Sequence, residues 1–68
     1  MGIGKMQDLY ILVWWINGHA QRHRSFIAGE ENAKQFYFDT IKDGDCAELY
    51  DTTINEVGLV EPGTKLLG

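Results

Sequence analysis

Apolar positions are concentrated at one place in this chain. Residues 9–16 read Leu-Tyr-Ile-Leu-Val-Trp-Trp-Ile, and the run stops at Asn17-Gly18, a strong short-range hairpin signal. Successive residues of a strand point to opposite faces, and both faces of this one are apolar. Such a strand belongs in the middle of a sheet. Residues 19–27, His-Ala-Gln-Arg-His-Arg-Ser-Phe-Ile, are polar until their last two positions and suit an exposed edge strand paired back onto the first.

The period then changes. Gly29-Glu30-Glu31-Asn32 offers a permissive cap and two carboxylates where a helix N-terminus favours negative charge. Ala33, Phe36, Tyr37, Thr40 and Ile41 follow at the spacing of one helical face, and Asp43-Gly44 supplies a C-terminal stop. Residues 46–54, Cys-Ala-Glu-Leu-Tyr-Asp-Thr-Thr-Ile, return to the aromatic and β-branched types that strands accept. A helix that carries the chain back across the sheet places this third strand beside the first. The expected fold is therefore a small α+β domain of ββαβ type: a three-stranded antiparallel sheet of order 2-1-3 with one helix on one face.

That domain spans residues 9–54. Residues 1–8, with Gly2 and Gly4, read as a flexible N-terminus. Residues 55–68 centre on Glu61-Pro62-Gly63-Thr64, whose Pro-Gly pair suits a type II turn, and the segment is open to three readings: a small extra hairpin, an arm onto a partner, or disorder.

A two-residue turn at Asn17-Gly18 sets Ile16 opposite His19, Trp14 opposite Gln21, Leu12 opposite His23 and Tyr10 opposite Ser25. The other face then carries Leu9, Ile11, Val13 and Trp15 with Ala20, Arg22, Arg24 and Phe26. A three-residue turn would exchange the strand-two sets and leave those of strand one unchanged. One helix covers one face through Phe36, Tyr37 and Ile41, so four large residues of strand one face the other way. Leaving them in water forgoes about 1.5–3 kcal/mol for each side chain that could be fully buried, comparable in sum with the stability of a small domain. Burial against a second copy recovers it, as would a C-terminal segment folded over the open face. Tyr10, Leu12, Trp14 and Ile16 are the expected protein interface, together with Trp15 from the other set and Phe38, which lies off the helical stripe.

Length, charge and cysteine content narrow the classes. A chain of 68 residues buries only about 60% of its unfolded surface and gains from oligomerisation. Ten acidic against six basic residues give a net charge of −4, which disfavours broad binding to nucleic acid or anionic membrane. A spanning helix needs about 20 apolar residues, far more than residues 9–16 provide, and no cleavage pattern of a signal peptide follows the run. With Cys46 as its only cysteine the chain has no internal disulfide and fits a reducing, cytoplasmic setting.

Candidate chemistry is sparse. His19 and His23 on one strand lie about 13 Å apart, too far to chelate one ion easily, and no third ligand is evident. Cys46 lacks the local context of a cysteine nucleophile. Gly2-Ile3-Gly4-Lys5 lacks the spacing of a phosphate loop, and Asp39, Asp43, Asp45, Glu48 and Asp51 lack the alternation of a calcium loop. No catalytic residue, metal or cofactor is expected. Arg22-His23-Arg24 is the one concentrated positive charge, and arginine beside tryptophan can hold phosphate and stack on bases. The leading expectation is a non-enzymatic interaction protein, a homodimer through its open apolar sheet face, whose job would be to occlude a larger protein as a phage-type (viral) inhibitor does. The alternative is a nucleotide or single-strand nucleic-acid binder through Arg22, His23 and Arg24.

Overall fold

The computed structural model describes residues 4–68, with side chains from Asp8 onward. Residues 1–3, which include Gly2 and Ile3 of the glycine-rich segment, lie outside the described residues. The chain forms β1 (Gly4–Trp15), β2 (His23–Ala28), α1 (Glu30–Lys42), β3 (Cys46–Ile54) and β4 (Val60–Leu67). All four strands pair antiparallel in one sheet of order β2-β1-β3-β4, with α1 packed on one face. The α+β class and the central position of β1 are as expected. The sheet has four strands where three were expected.

The fourth strand comes from residues read as turn and tail. The chain reverses at Asn55, whose backbone N–H donates to the Leu59 carbonyl at 2.9 Å while its Oδ1 accepts from the Val57 and Leu59 N–H groups at 3.0 Å each. Gly58 completes the reversal at φ +85°, which a glycine tolerates without strain. Pro62 and Gly63 then lie within β4, not at a turn. β4 is an edge strand, where a proline can turn its N-side outward and lose no ladder bond. The C-terminal segment thus widens the sheet beside β3 and does not fold over its face.

β1 is also longer than expected, starting at Gly4 where the pattern suggested Leu9. Gly4 and Lys5 pair with Ile54 and Thr53, the ladder is interrupted between Lys5 and Tyr10, and Asp8 takes a positive φ of 60° at the break. Thr52 is fully buried there and donates from Oγ1 to the Leu9 carbonyl at 2.8 Å.

Asn17-Gly18 does turn the chain, with His19 N–H bonded to the Ile16 carbonyl at 2.9 Å and Gly18 at φ +88°. It is not a two-residue hairpin loop, because β2 starts only at His23. Trp14 pairs with His23, Leu12 with Ser25 and Tyr10 with Ile27, a slip of two residues from the expected register. Side chains alternate with period two, so a slip of two keeps every residue on its expected face.

α1 follows Gly29 at its N-cap, carries Glu30 and Glu31 in its first turn, and is braced by a Glu30–Lys34 pair at 2.9 Å. It ends in a Schellman motif: Gly44 N–H bonds the Ile41 carbonyl, Asp45 N–H bonds that of Thr40, and Gly44 sits at φ +93°. The core beneath it is Leu12, Ala33, Tyr37, Ala47 and Leu49, with Tyr10, Trp14, Ile27 and Leu67 packed at its margin. Ala33 on the helix and Ala47 on the sheet let the two layers approach closely. The buried stripe is narrower than the sequence suggests, since Phe36 and Ile41 stay exposed. The helix contacts β1 and β3 more than β2 and leaves Phe36 over a gap on the β2 side.

Candidate interaction surface

α1 decides which strand-one set is covered. Tyr10, Leu12 and Trp14 lie beneath it, and Leu9, Ile11, Val13 and Trp15 point to the opposite face. No other described element packs over that opposite face. Register fills in its neighbours. Arg24, Val13 and Glu48 form one row across β2, β1 and β3, and Phe26, Ile11 and Tyr50 form the next. Ile11 is fully buried between large cross-strand partners, whereas Phe26 is 55% exposed at the edge.

Polar groups on this face are organised around Glu48. Its carboxylate accepts from the Tyr50 hydroxyl at 3.1 Å and pairs with Lys65 of β4 at 3.4 Å. The hydrogen bond to Glu48, followed by burial, raises the Tyr50 hydroxyl above the usual tyrosine range. At the far end, the Arg22 guanidinium lies 3.9 Å from the centroid of the Trp15 ring and donates to the Ala20 and His19 carbonyls at 3.1 and 3.4 Å. Arg24 makes no hydrogen bond or ion pair among the described residues.

The residues singled out from sequence do not share one surface. Leu12 is buried under α1, and Tyr10 and Trp14 flank that same core. Trp15 lies on the open face, Ile16 is exposed just past the end of β1, and Phe38 is 51% exposed on α1, its ring edge-on to Tyr37 at 5.2 Å. The basic triplet is split as well: Arg22 and Arg24 belong to the open face, whereas His23 stacks on Trp14 at 4.3 Å on the helix side. His19 sits in the loop before β2, and Cys46 is half-buried opposite Trp15. Among the described residues no group of three His, Cys, Asp or Glu side chains is placed to hold a metal. No helix among the described residues is long and apolar enough to cross a membrane.

The gap beside α1 is a groove of about 620 Å³ lined by Leu12, Trp14, Ser25, Ile27, Phe36 and Thr40, with Asp43 and Asp45 at its end. Sequence reasoning missed this groove, because it exists only through the lateral offset of the helix. Glu48 and Tyr50 were also missed as members of the open face. The alternation of β3, with Ala47 and Leu49 apolar and Glu48 between them, carried that signal. Comparison with known protein families, characterised proteins and solved structures finds no match.

Proposed function

We propose that this protein is a non-enzymatic interaction module that associates as a homodimer through the open face of its sheet. The observation that carries this reading is the half-buried set of Leu9, Val13 and Trp15, on a face over which no other described element packs, with exposed Phe26 at its margin. A two-layer domain with one helix buries only one face of its sheet, and the other face gains from a second apolar layer. Molar mass from light scattering over a range of concentrations tests it. Twice the chain mass at high concentration, falling to the chain mass on dilution, is the expected result. Val13→Lys, which places a charge in the middle of the face, shifts that transition to higher concentration. A chain mass throughout, for the unaltered protein, overturns the reading.

A second reading takes the same face as a binder of nucleotide or single-stranded nucleic acid. What favours it is Arg24, whose side chain has no hydrogen-bond or ion-pair partner among the described residues and which lies next but one to Phe26 on the edge strand. Against it stand the engagement of Arg22 by Trp15 and two carbonyls, the separation of His23 onto the other face, and Glu48 in the Arg24 row. Oligonucleotide binding at low salt that is lost on Arg24→Ala supports this second reading, and no binding at low salt ends it.

A further inference from the structure

We infer that the two copies of the proposed homodimer are related by a two-fold axis running along β1, so that Arg24 of each copy meets Glu48 of the other and Phe26 meets Tyr50. The inference rests on the homodimer reading and adds its geometry. It follows from the two rows of the open face. Arg24 and Glu48 flank Val13 on opposite sides of β1, and Phe26 and Tyr50 flank Ile11 in the same way. When a sheet is laid face to face on its copy about an axis parallel to the central strand, that strand covers itself and its two neighbours exchange places. β2 then lies on the partner's β3. The rows are converted into contacts of opposite charge or like chemistry: cation on anion, aromatic on aromatic, and Val13 on its own copy at the axis, while Ile11 stays buried beneath Phe26 and Tyr50.

Within one chain the two charges cannot pair. β1 separates them, which puts Arg24 and Glu48 two strand spacings apart, about 9–10 Å. Arg24 accordingly has no ion-pair partner among the described residues, while Glu48 is held in place by Tyr50 and Lys65. A fixed anion on one side and an unengaged cation on the other make the face self-complementary, as a two-fold interface requires.

Aligned sheets pack about 10 Å apart with their strands turned by about 30°. One strand spacing from the axis, that turn displaces facing residues by only about 2.5 Å, within reach of arginine and glutamate side chains. An axis across the strands behaves differently. It lays β2 on β2 and β3 on β3, and Arg24 never meets Glu48.

Charge reversal separates these arrangements. Arg24→Glu alone gives two anion-anion contacts per dimer, Glu48→Arg alone gives two cation-cation contacts, and each is expected to weaken self-association about 100-fold. In an equimolar mixture the carboxylate introduced at position 24 of one variant meets the guanidinium introduced at position 48 of the other, and the second contact is a native Arg24–Glu48 pair. The mixture therefore re-forms a dimer at native strength while neither variant does alone. Sedimentation of the three samples reads this out, with helical circular dichroism of each variant as the check on folding. Arg24 is exposed on an edge strand, so Arg24→Glu folds whatever Glu48→Arg does. Native-strength dimers of Arg24→Glu, or a mixture of folded variants that stays monomeric, overturn the axis and leave the homodimer standing. A monomeric unaltered protein overturns both.

Discussion

Thr52→Val removes a buried hydrogen bond at the break in the central ladder. Thr52 is fully buried, and its Oγ1 donates to the Leu9 carbonyl at 2.8 Å, opposite the stretch of β1 where pairing with β3 slips between Lys5 and Tyr10. Valine has nearly the shape of threonine, so the substitution removes the donor without opening a cavity. A hydrogen bond of this kind contributes about 0.5–1.5 kcal/mol net, and a buried carbonyl left without its donor costs about 1–3 kcal/mol. The added methyl returns less than about 1 kcal/mol of apolar burial. A net loss of about 1–2 kcal/mol is expected, a sizeable part of the roughly 3–10 kcal/mol available to a chain of this length.

Urea unfolding followed by circular dichroism measures it, at one fixed protein concentration because association contributes to apparent stability. The midpoint should fall with an unchanged slope, and the thermal midpoint should drop by about 4–16 °C. Thr52→Ser, which keeps the hydroxyl and loses one methyl, should cost about 1 kcal/mol. If Thr52→Val is as stable as the unaltered chain, Thr52 acts by filling space and the bond to Leu9 is not what closes the break.

Three further outcomes test other parts of the fold. Gly63→Ala should destabilise by about 1–2 kcal/mol in the same urea assay, because a Cβ there collides with the Asp51 carboxylate that accepts the Thr64 N–H at 2.6 Å. Asn55→Ala removes both Oδ1 bonds of the β3–β4 reversal and should loosen β4, seen as faster amide exchange from Val60 to Leu67 than in β1. The Tyr10 hydroxyl is raised above its ordinary value of 10.0 by burial and by the charges of Glu30, Asp8 and Asp51, and that of Tyr50 is raised by its bond to Glu48. Because the folded state favours both neutral phenols, their contribution to stability is complete below the ordinary tyrosine pKa and is lost as pH rises through the raised folded values. The urea midpoint should therefore fall on going from neutral to strongly alkaline pH, and Tyr50→Phe should make that fall shallower; an equal fall in the variant removes Tyr50 from the account.

Local patterns along the chain were enough for several elements. The apolar run of residues 9–16 marks the central strand, because at a sheet edge it would also leave its apolar side chains and ladder groups open along its length, whereas β2 and β3 flank it on either side. Gly29, Glu30 and Glu31 start the helix and Gly44 ends it, since each acts through backbone groups a few residues away. Alternation assigned β1 and β2 residues to their faces even though the pairing slipped by two, as a shift by a full period leaves the faces alone.

Other features depend on contacts between distant residues. Pro62-Gly63 resembles a turn in isolation, and it lies in a strand because β3 offers a free edge and Asn55 turns the chain toward it. Phe36 and Ile41 fit the helical stripe, and they remain exposed because α1 sits over β1 and β3 to one side of β2. The same holds for the two faces of β1. Each is apolar, so local pattern cannot rank them. The helix chose between them by seating Ala33 and Tyr37 against Leu49 and Ala47 of β3, and the face carrying Leu9, Ile11, Val13 and Trp15 was left open.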